Sequence, residues 1–134
     1  MWTCKKCGRI FEKTGQPHSC QKIPLQQHFK NKEKAKKIFD YFVEQVNKKV
    51  GKCKIISLPC CIHLYGNYDF VAILPKKDGL EIRFAFDKKI KKLRLKQCVL
   101  ISANFYKICI DVHDQKDINA ELMKWLKQSY NLKN

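Results

Sequence analysis

Glu81-Ile82-Arg83-Phe84-Ala85-Phe86 alternates polar or small residues with apolar ones without a break. A period of two belongs to a strand that buries one face and leaves the other free. Lys77-Asp78-Gly79 stands before it as a turn signal. Residues 68–74 form another apolar, β-rich run, so the two read as an antiparallel hairpin. Gly66-Asn67 marks a further turn after 60–65. With 53–57, 97–103 and 105–112, about six strands are expected between 52 and 112.

Helices are expected on both sides of this block. Ala35, Ile38, Phe39, Phe42, Val43, Val46 and Val50 fall on one stripe at a period of 3.6. Asn31 is read as the N-cap of this helix and Gly51 as its stop. A closing helix is expected to begin near Asp114, where Asp114 and Asp117 have the spacing of a capping box. Ile118, Leu122, Trp125 and Leu126 supply its apolar face. The fold class is α+β: helix, roughly six-stranded antiparallel sheet, C-terminal helix, with the helices on one face.

The first 22 residues differ. They hold Cys4, Cys7 and Cys20 and few aliphatic residues, too few for a core of their own. Cys4-x2-Cys7, then His18-x-Cys20, has the spacing of a tetrahedral metal site. A Cys-x2-Cys pair brings two sulfurs to one ion from a tight turn. Gly8 supplies the backbone freedom that such a turn needs. Cys4, Cys7, His18 and Cys20 are the nominated ligands of a structural Zn²⁺, with His28 the alternative to His18. No helical stretch precedes His18, so a ribbon or knuckle is expected rather than a DNA-reading finger. The chain divides into a zinc ribbon-like module (1–22), a connector (23–31) docked through Leu25 and Phe29, and an α+β domain (32–134). Cys53, Cys60, Cys61, Cys98 and Cys109 lie in apolar segments and read as buried free thiols rather than disulfides or a second metal site. No secretory signal or membrane span is visible in the 134 residues, so a reducing, cytoplasmic setting is expected.

Met1-Trp2-Thr3-Cys4, Cys7-Gly8-Arg9, Phe11, His18-Ser19-Cys20 and His28-Phe29 resemble the opening of an uncharacterised bacterial family, domain of unknown function 5655. Lys76-Lys77-Asp78-Gly79-Leu80, and Glu121-Leu122 to Trp125-Leu126, resemble its later landmarks. The resemblance implies a helix, a sheet and a C-terminal helix behind a Cys-rich box. It implies an accessory or binding module more than a catalyst.

The formal charge is +16, from 28 basic and 12 acidic residues. Only Arg9, Arg83 and Arg94 among the basic residues are arginines. Lys, Ile and Asn are all frequent, as AT-rich coding dictates, which discounts part of the excess. Asp and Glu stay low, however, so a field that attracts polyanions survives. Lys34 and Lys37 sit early in the first helix. Lys88, Lys89, Lys91, Lys92, Arg94 and Lys96 crowd one inter-strand stretch, with Ile90, Leu93 and Leu95 interleaved to pin it. With Lys5, Lys6 and Arg9 of the ribbon they are nominated as one phosphate-binding surface. Nucleic acid is therefore the leading partner. A protein partner docked on the ribbon is the alternative. Tyr65, Tyr68, Phe70, Phe84, Phe86, Phe105 and Tyr106 are candidate stacking residues, with most expected in the core.

Signals of catalysis are weak. There is no Gly-rich phosphate loop, nucleophile elbow or paired-histidine zinc motif. A second alternative is a Mg²⁺-dependent nuclease using Asp69 and Glu81 beside Arg83. Outward-facing charge on a strand is the simpler account of these three. His63 reads as a core histidine.

Overall fold

A computed structural model describes residues 2–11, 13–92, 95–102 and 105–132. In chain order the elements are strands β1 (Trp2–Thr3) and β2 (Ile10–Phe11), then helices α1 (Leu25–His28) and α2 (Glu33–Lys49). Strands β3 (Lys54–Ser57), β4 (Ile62–Tyr65), β5 (Asp69–Lys76), β6 (Gly79–Phe86), β7 (Leu95–Ser102) and β8 (Phe105–Val112) follow. A 3₁₀ turn (Gln115–Asp117) and helix α3 (Ala120–Asn131) close the chain. The class is α+β, with a six-stranded antiparallel sheet ordered β3-β4-β5-β6-β8-β7 and a separate β1-β2 pair.

The alternation of 81–86 does what a period of two requires. Ile82 lies between Ile73 of β5 and Ile110 of β8, and Phe84 lies between Val71 and Ile108. These side chains join Ile62 and Leu64 in one buried cluster with Ile38, Phe39, Phe42 and Val46 of α2 and Leu122, Met123 and Leu126 of α3. Burying each such side chain is worth about 1.5–3 kcal/mol. The helices therefore seal one face of the sheet. The other face carries His63, Ala72, Arg83, Lys107 and Cys109 in successive cross-strand pairs. Phe29, after α1, is buried with its ring 5.0 Å from that of Phe39 of α2.

One irregularity matters for chemistry. Leu64 pairs with Val71, but Tyr65 pairs with Asp69, so Phe70 is the extra residue of a β-bulge. Phe70 and Val71 are both buried, and the Phe70 ring stands edge-on to Tyr130 of α3 at 5.0 Å. Strict alternation would aim Asp69 at the helices. The bulge turns it to the opposite face, beside His63.

The basic stretch after β6 is not a turn between neighbours. β8 lies between β6 and β7, which makes β6 and β7 parallel. Parallel strands need a crossover, and its described part is residues 87–92. Gln128 Nε2 donates to Asp87 Oδ1 at 2.8 Å, and Lys92 Nζ lies 3.8 Å from Glu121. The crossover thus runs along α3, with Ile90 packed on the core.

The helix ends differ from expectation. Lys32, not Asn31, occupies the N-cap of α2, and Asn31 adopts the left-handed region at φ 60°. Gly51 does end the helix, donating its N–H to Val46 O at 3.0 Å. Asp114 and Asp117 do form a capping box, but it caps the 3₁₀ turn. α3 starts at Ala120, where Asn119 Oδ1 accepts from the Leu122 amide at 3.0 Å. All eight cysteines are free. Cys61 and Cys109 are buried as expected, Cys53 and Cys98 are half-buried, and Cys60 is exposed, at the tip between β3 and β4. Among the described residues, no helix is long and apolar enough to cross a membrane.

Candidate metal centre

The first site is made by a hairpin that ties the chain ends of a short loop together. Trp2 pairs with Phe11 and Thr3 with Ile10. Between them the Gly8 amide donates to Cys4 O, and the Cys4 amide to Arg9 O, both at 2.8 Å. Gly8 sits at φ +78°, which is costly for any residue with a Cβ. This knuckle aims Cys4 and Cys7 inward, and both are buried.

His18 and Cys20 complete the group. Cys4 Sγ is 3.8 Å from Cys20 Sγ; His18 Nε2 is 3.3 Å from Cys7 Sγ and 3.4 Å from Cys20 Sγ. Zinc binds sulfur at about 2.3 Å and histidine nitrogen at about 2.0–2.1 Å. A tetrahedron of those radii has S–S edges of about 3.8 Å and S–N edges of about 3.5 Å. All four donor atoms lie within 4.8 Å of one another, so the cluster could hold a metal ion. His18 Nδ1 faces Gln16 O at 2.6 Å, which leaves Nε2 as the lone-pair nitrogen turned to the sulfurs. The same carbonyl raises the His18 pKa. Phe11 packs on the ring at 4.3 Å between centroids, and the Arg9 guanidinium lies 4.9 Å from the Phe11 centroid.

The sulfurs are electrostatically unequal. The Cys7 backbone amide points at Cys4 and, against burial, brings that thiol down to about 6. Burial and the neighbouring thiols Cys4 and Cys7 push Cys20 up to about 11. Three thiolates repel in a small space, and a divalent cation removes that conflict. Four protein donors leave no position for a substrate, so the geometry is that of a closed site.

His28 takes no part in this group. It ends α1 and lines a cleft of about 410 Å³ with Gln27, Lys32, Pro59, Cys60 and Pro75. Burial lowers its pKa.

The ribbon docks on the face of the sheet away from the helices. Ile10 packs on Ile56, Leu58 and Tyr65. Arg9 Nε donates to Tyr65 Oη at 3.3 Å, and the Ile23 amide to Ser57 O at 3.2 Å. This placement divides the nominated basic residues. Lys5 and Lys6 are exposed on the knuckle, while Lys88, Lys89, Lys91 and Lys92 are exposed on the helical side. The two groups do not meet on one surface. Lys34 and Lys37 are exposed on α2, on the helical side. Arg9 is engaged by Tyr65, and Lys96 pairs with Glu81 at 2.6 Å. Arg94 lies outside the described residues.

Asp69 and Glu81 do not converge either. Glu81 stands opposite Leu74, so Asp69 is five residues further along β5, about 16 Å away. Each is already engaged. Asp69 Oδ2 is 2.6 Å from His63 Nδ1. Glu81 accepts from Arg83 Nε and Lys96 Nζ, both at 2.6 Å. Burial alone would raise the Glu81 carboxyl, but these two cations hold it below its ordinary range. The hairpin register, invisible in a list of carboxylates, separates the pair. Of the stacking candidates, Tyr65, Tyr68, Phe70, Phe84 and Phe86 are buried. Cys60-Cys61-x-His63 was missed as a group, although its spacing already carries a Cys-x-His pair on one strand face.

With this geometry in hand, comparison with known families matches residues 25–133 to the domain of unknown function DUF5655. The chain belongs to this family. The matched stretch runs from α1 to the end of α3 and starts beyond Cys20. What ties the chain to DUF5655 is therefore the α+β unit; the Cys4–Cys20 cluster lies outside the match. No curated protein and no solved structure matches the chain.

Proposed function

We propose that this DUF5655 protein is a non-catalytic binding module for nucleic acid, built from an α+β domain (32–134), a connector (23–31) and a ribbon (1–22) folded by a structural Zn²⁺. Cys4, Cys7, His18 and Cys20 hold the ion, which substitutes for the core the ribbon lacks. The observation that carries the binding reading is the charge on the helical side. Lys34, Lys37, Lys88, Lys89, Lys91 and Lys92 are all exposed there, on a chain of formal charge +16. Lysines engage phosphate as point charges and give affinity without reading base sequence. The buried aromatics argue against a stacking platform and for a backbone-tracking mode. Eight free cysteines suit a reducing compartment such as the cytoplasm.

The test is binding of a labelled duplex and a labelled single strand to metal-loaded protein across a salt series. Replacing Lys88, Lys89, Lys91 and Lys92 with Gln should flatten the log–log slope for duplex by up to about 3.6 if each meets a phosphate. An unchanged slope moves the phosphates to another face.

A protein-docking role is the second reading. Val99, Leu100 and Ile101 are exposed on edge strand β7, and apolar edges pair readily with other chains. Binding that ignores salt would favour it.

A further inference from the structure

The β3–β4 hairpin carries a second group of donors. Residues 58–61 close the hairpin, with the Leu58 amide donating to Cys61 O at 3.0 Å and Pro59-Cys60 at the tip. Cys61, just before β4, and His63 within it turn to the same side. Cys61 Sγ lies 3.0 Å from His63 Nε2 and 3.2 Å from Cys60 Sγ. The three donor atoms lie within 4.8 Å of one another.

The histidine is arranged as metal ligands usually are. Its Nδ1 faces Asp69 Oδ2 at 2.6 Å, a short approach that is off the ideal hydrogen-bond line. A carboxylate on the far nitrogen turns Nε2 toward the sulfurs. The bulge at Phe70 brings Asp69 to this face. His18 in the ribbon shows the same logic, with Gln16 O in the place of Asp69.

We infer that Cys60, Cys61 and His63 form a second, open metal site for a borderline d¹⁰ cation, Zn²⁺, with Asp69 as the positioning residue behind His63. Two thiolates and one imidazole are the donor set that such an ion prefers. Both thiols give up their protons on binding, so loading releases two protons per ion. Tetrahedral edges of about 3.5–3.8 Å require the three donors to spread by about half an ångström. The mobile partner for this is Cys60, which is exposed at the hairpin tip. Three protein donors leave one position for water or an exogenous donor, as catalytic zinc sites do and the ribbon site does not.

The open position faces two clefts. Cys60 lines the cleft of about 410 Å³ that also holds His28. His28 is half-buried there, with the Leu58 backbone beside its ring. Across the hairpin, Cys60 lines a second cleft of about 310 Å³ with Arg9, Ser19 and Gln21 of the ribbon segment. The hairpin thus carries one metal group and docks the other.

The test is stoichiometry. Reduced full-length protein is reconstituted anaerobically with Zn²⁺, and ions per chain are counted by native mass spectrometry and elemental analysis. Two ions are expected for the unaltered chain. Cys60→Ser, an exposed position, should leave one tightly held ion. Asp69→Asn should keep two but weaken the second by about 10–100-fold in a chelator competition. Co²⁺ loading of Cys60→Ser should keep the spectrum of a three-sulfur tetrahedral site and lose that of a two-sulfur one. One ion in the unaltered chain, or two that Cys60→Ser does not change, overturns the site. So does a chain 2 Da light that maps to a Cys60–Cys61 disulfide. None of these outcomes bears on duplex binding, which is scored separately.

Discussion

Removing the ribbon's ligands should loosen, but not unfold, the sheet beneath it. The perturbation is the double variant Cys4→Ser, Cys7→Ser, which removes two donors of the first cluster and leaves Cys60, Cys61 and His63 intact. Without the proposed Zn²⁺ the segment 1–22 has no core and should unfold. Ile56, Leu58 and Tyr65, now 2%, 4% and 3% exposed, then lose the cover that Ile10 and the ribbon give them. Full burial of such side chains is worth about 1.5–3 kcal/mol each; losing half of that for three gives about 3 kcal/mol. A domain spanning 25–132 unfolds with about 0.23 kcal/mol/K of entropy, so Tm should fall by about 13 °C. The 24-residue core between sheet, α2 and α3 is untouched and should still melt cooperatively. Circular dichroism melts follow Tm, and an amide correlation spectrum should lose the peaks of 2–22 alone. An unchanged Tm refutes the docking of Ile10 on the sheet. Loss of all dispersed peaks refutes the separation of ribbon and domain.

Two more perturbations probe the sheet. Gly79→Ala should cost about 2–3 kcal/mol, read as a large drop in Tm, because a Cβ there would stand 2.1 Å from Val112 O, a backbone atom that cannot move aside. Glu81→Gln should cost about 1–2 kcal/mol at pH 7 through its lost bonds to Arg83 and Lys96, both half-exposed. The folded Glu81 carboxyl sits below the ordinary 4.5, so its contribution is complete above that value and is lost as pH falls through the folded pKa. The Tm gap between Glu81→Gln and the unaltered chain should therefore narrow as pH falls below 4.5, as a denaturation series from pH 7 into acid would show.

Much of the architecture was legible because periodicity is local. The stripe from Ala35 to Val46 and the alternation at 81–86 each report one buried face without knowledge of the rest. The cysteine spacing was legible for the same reason, since Cys4-x2-Cys7 closes within one knuckle. What escaped is set by register and order. No local signal says that β8 inserts between β6 and β7, so the lysine-rich stretch read as a loop rather than a crossover along α3. No local signal says that Phe70 bulges, so Asp69 could not be assigned to His63. The capping box was real but belonged to a single 3₁₀ turn, because Ile118 leaves helical geometry with ψ 75° before α3 begins. Placement of the ribbon on the face opposite α3 depends on Ile10 meeting Ile56 and Tyr65, a long-range match that composition does not carry.

The most direct measurement is the affinity of metal-loaded protein for a labelled DNA duplex from low to physiological salt. Phosphate binding through the helical-side lysines predicts a linear fall of log affinity with log salt. Its slope of about −0.9 per phosphate should flatten when Lys88, Lys89, Lys91 and Lys92 become Gln. No binding at the lowest salt would contradict a nucleic-acid role.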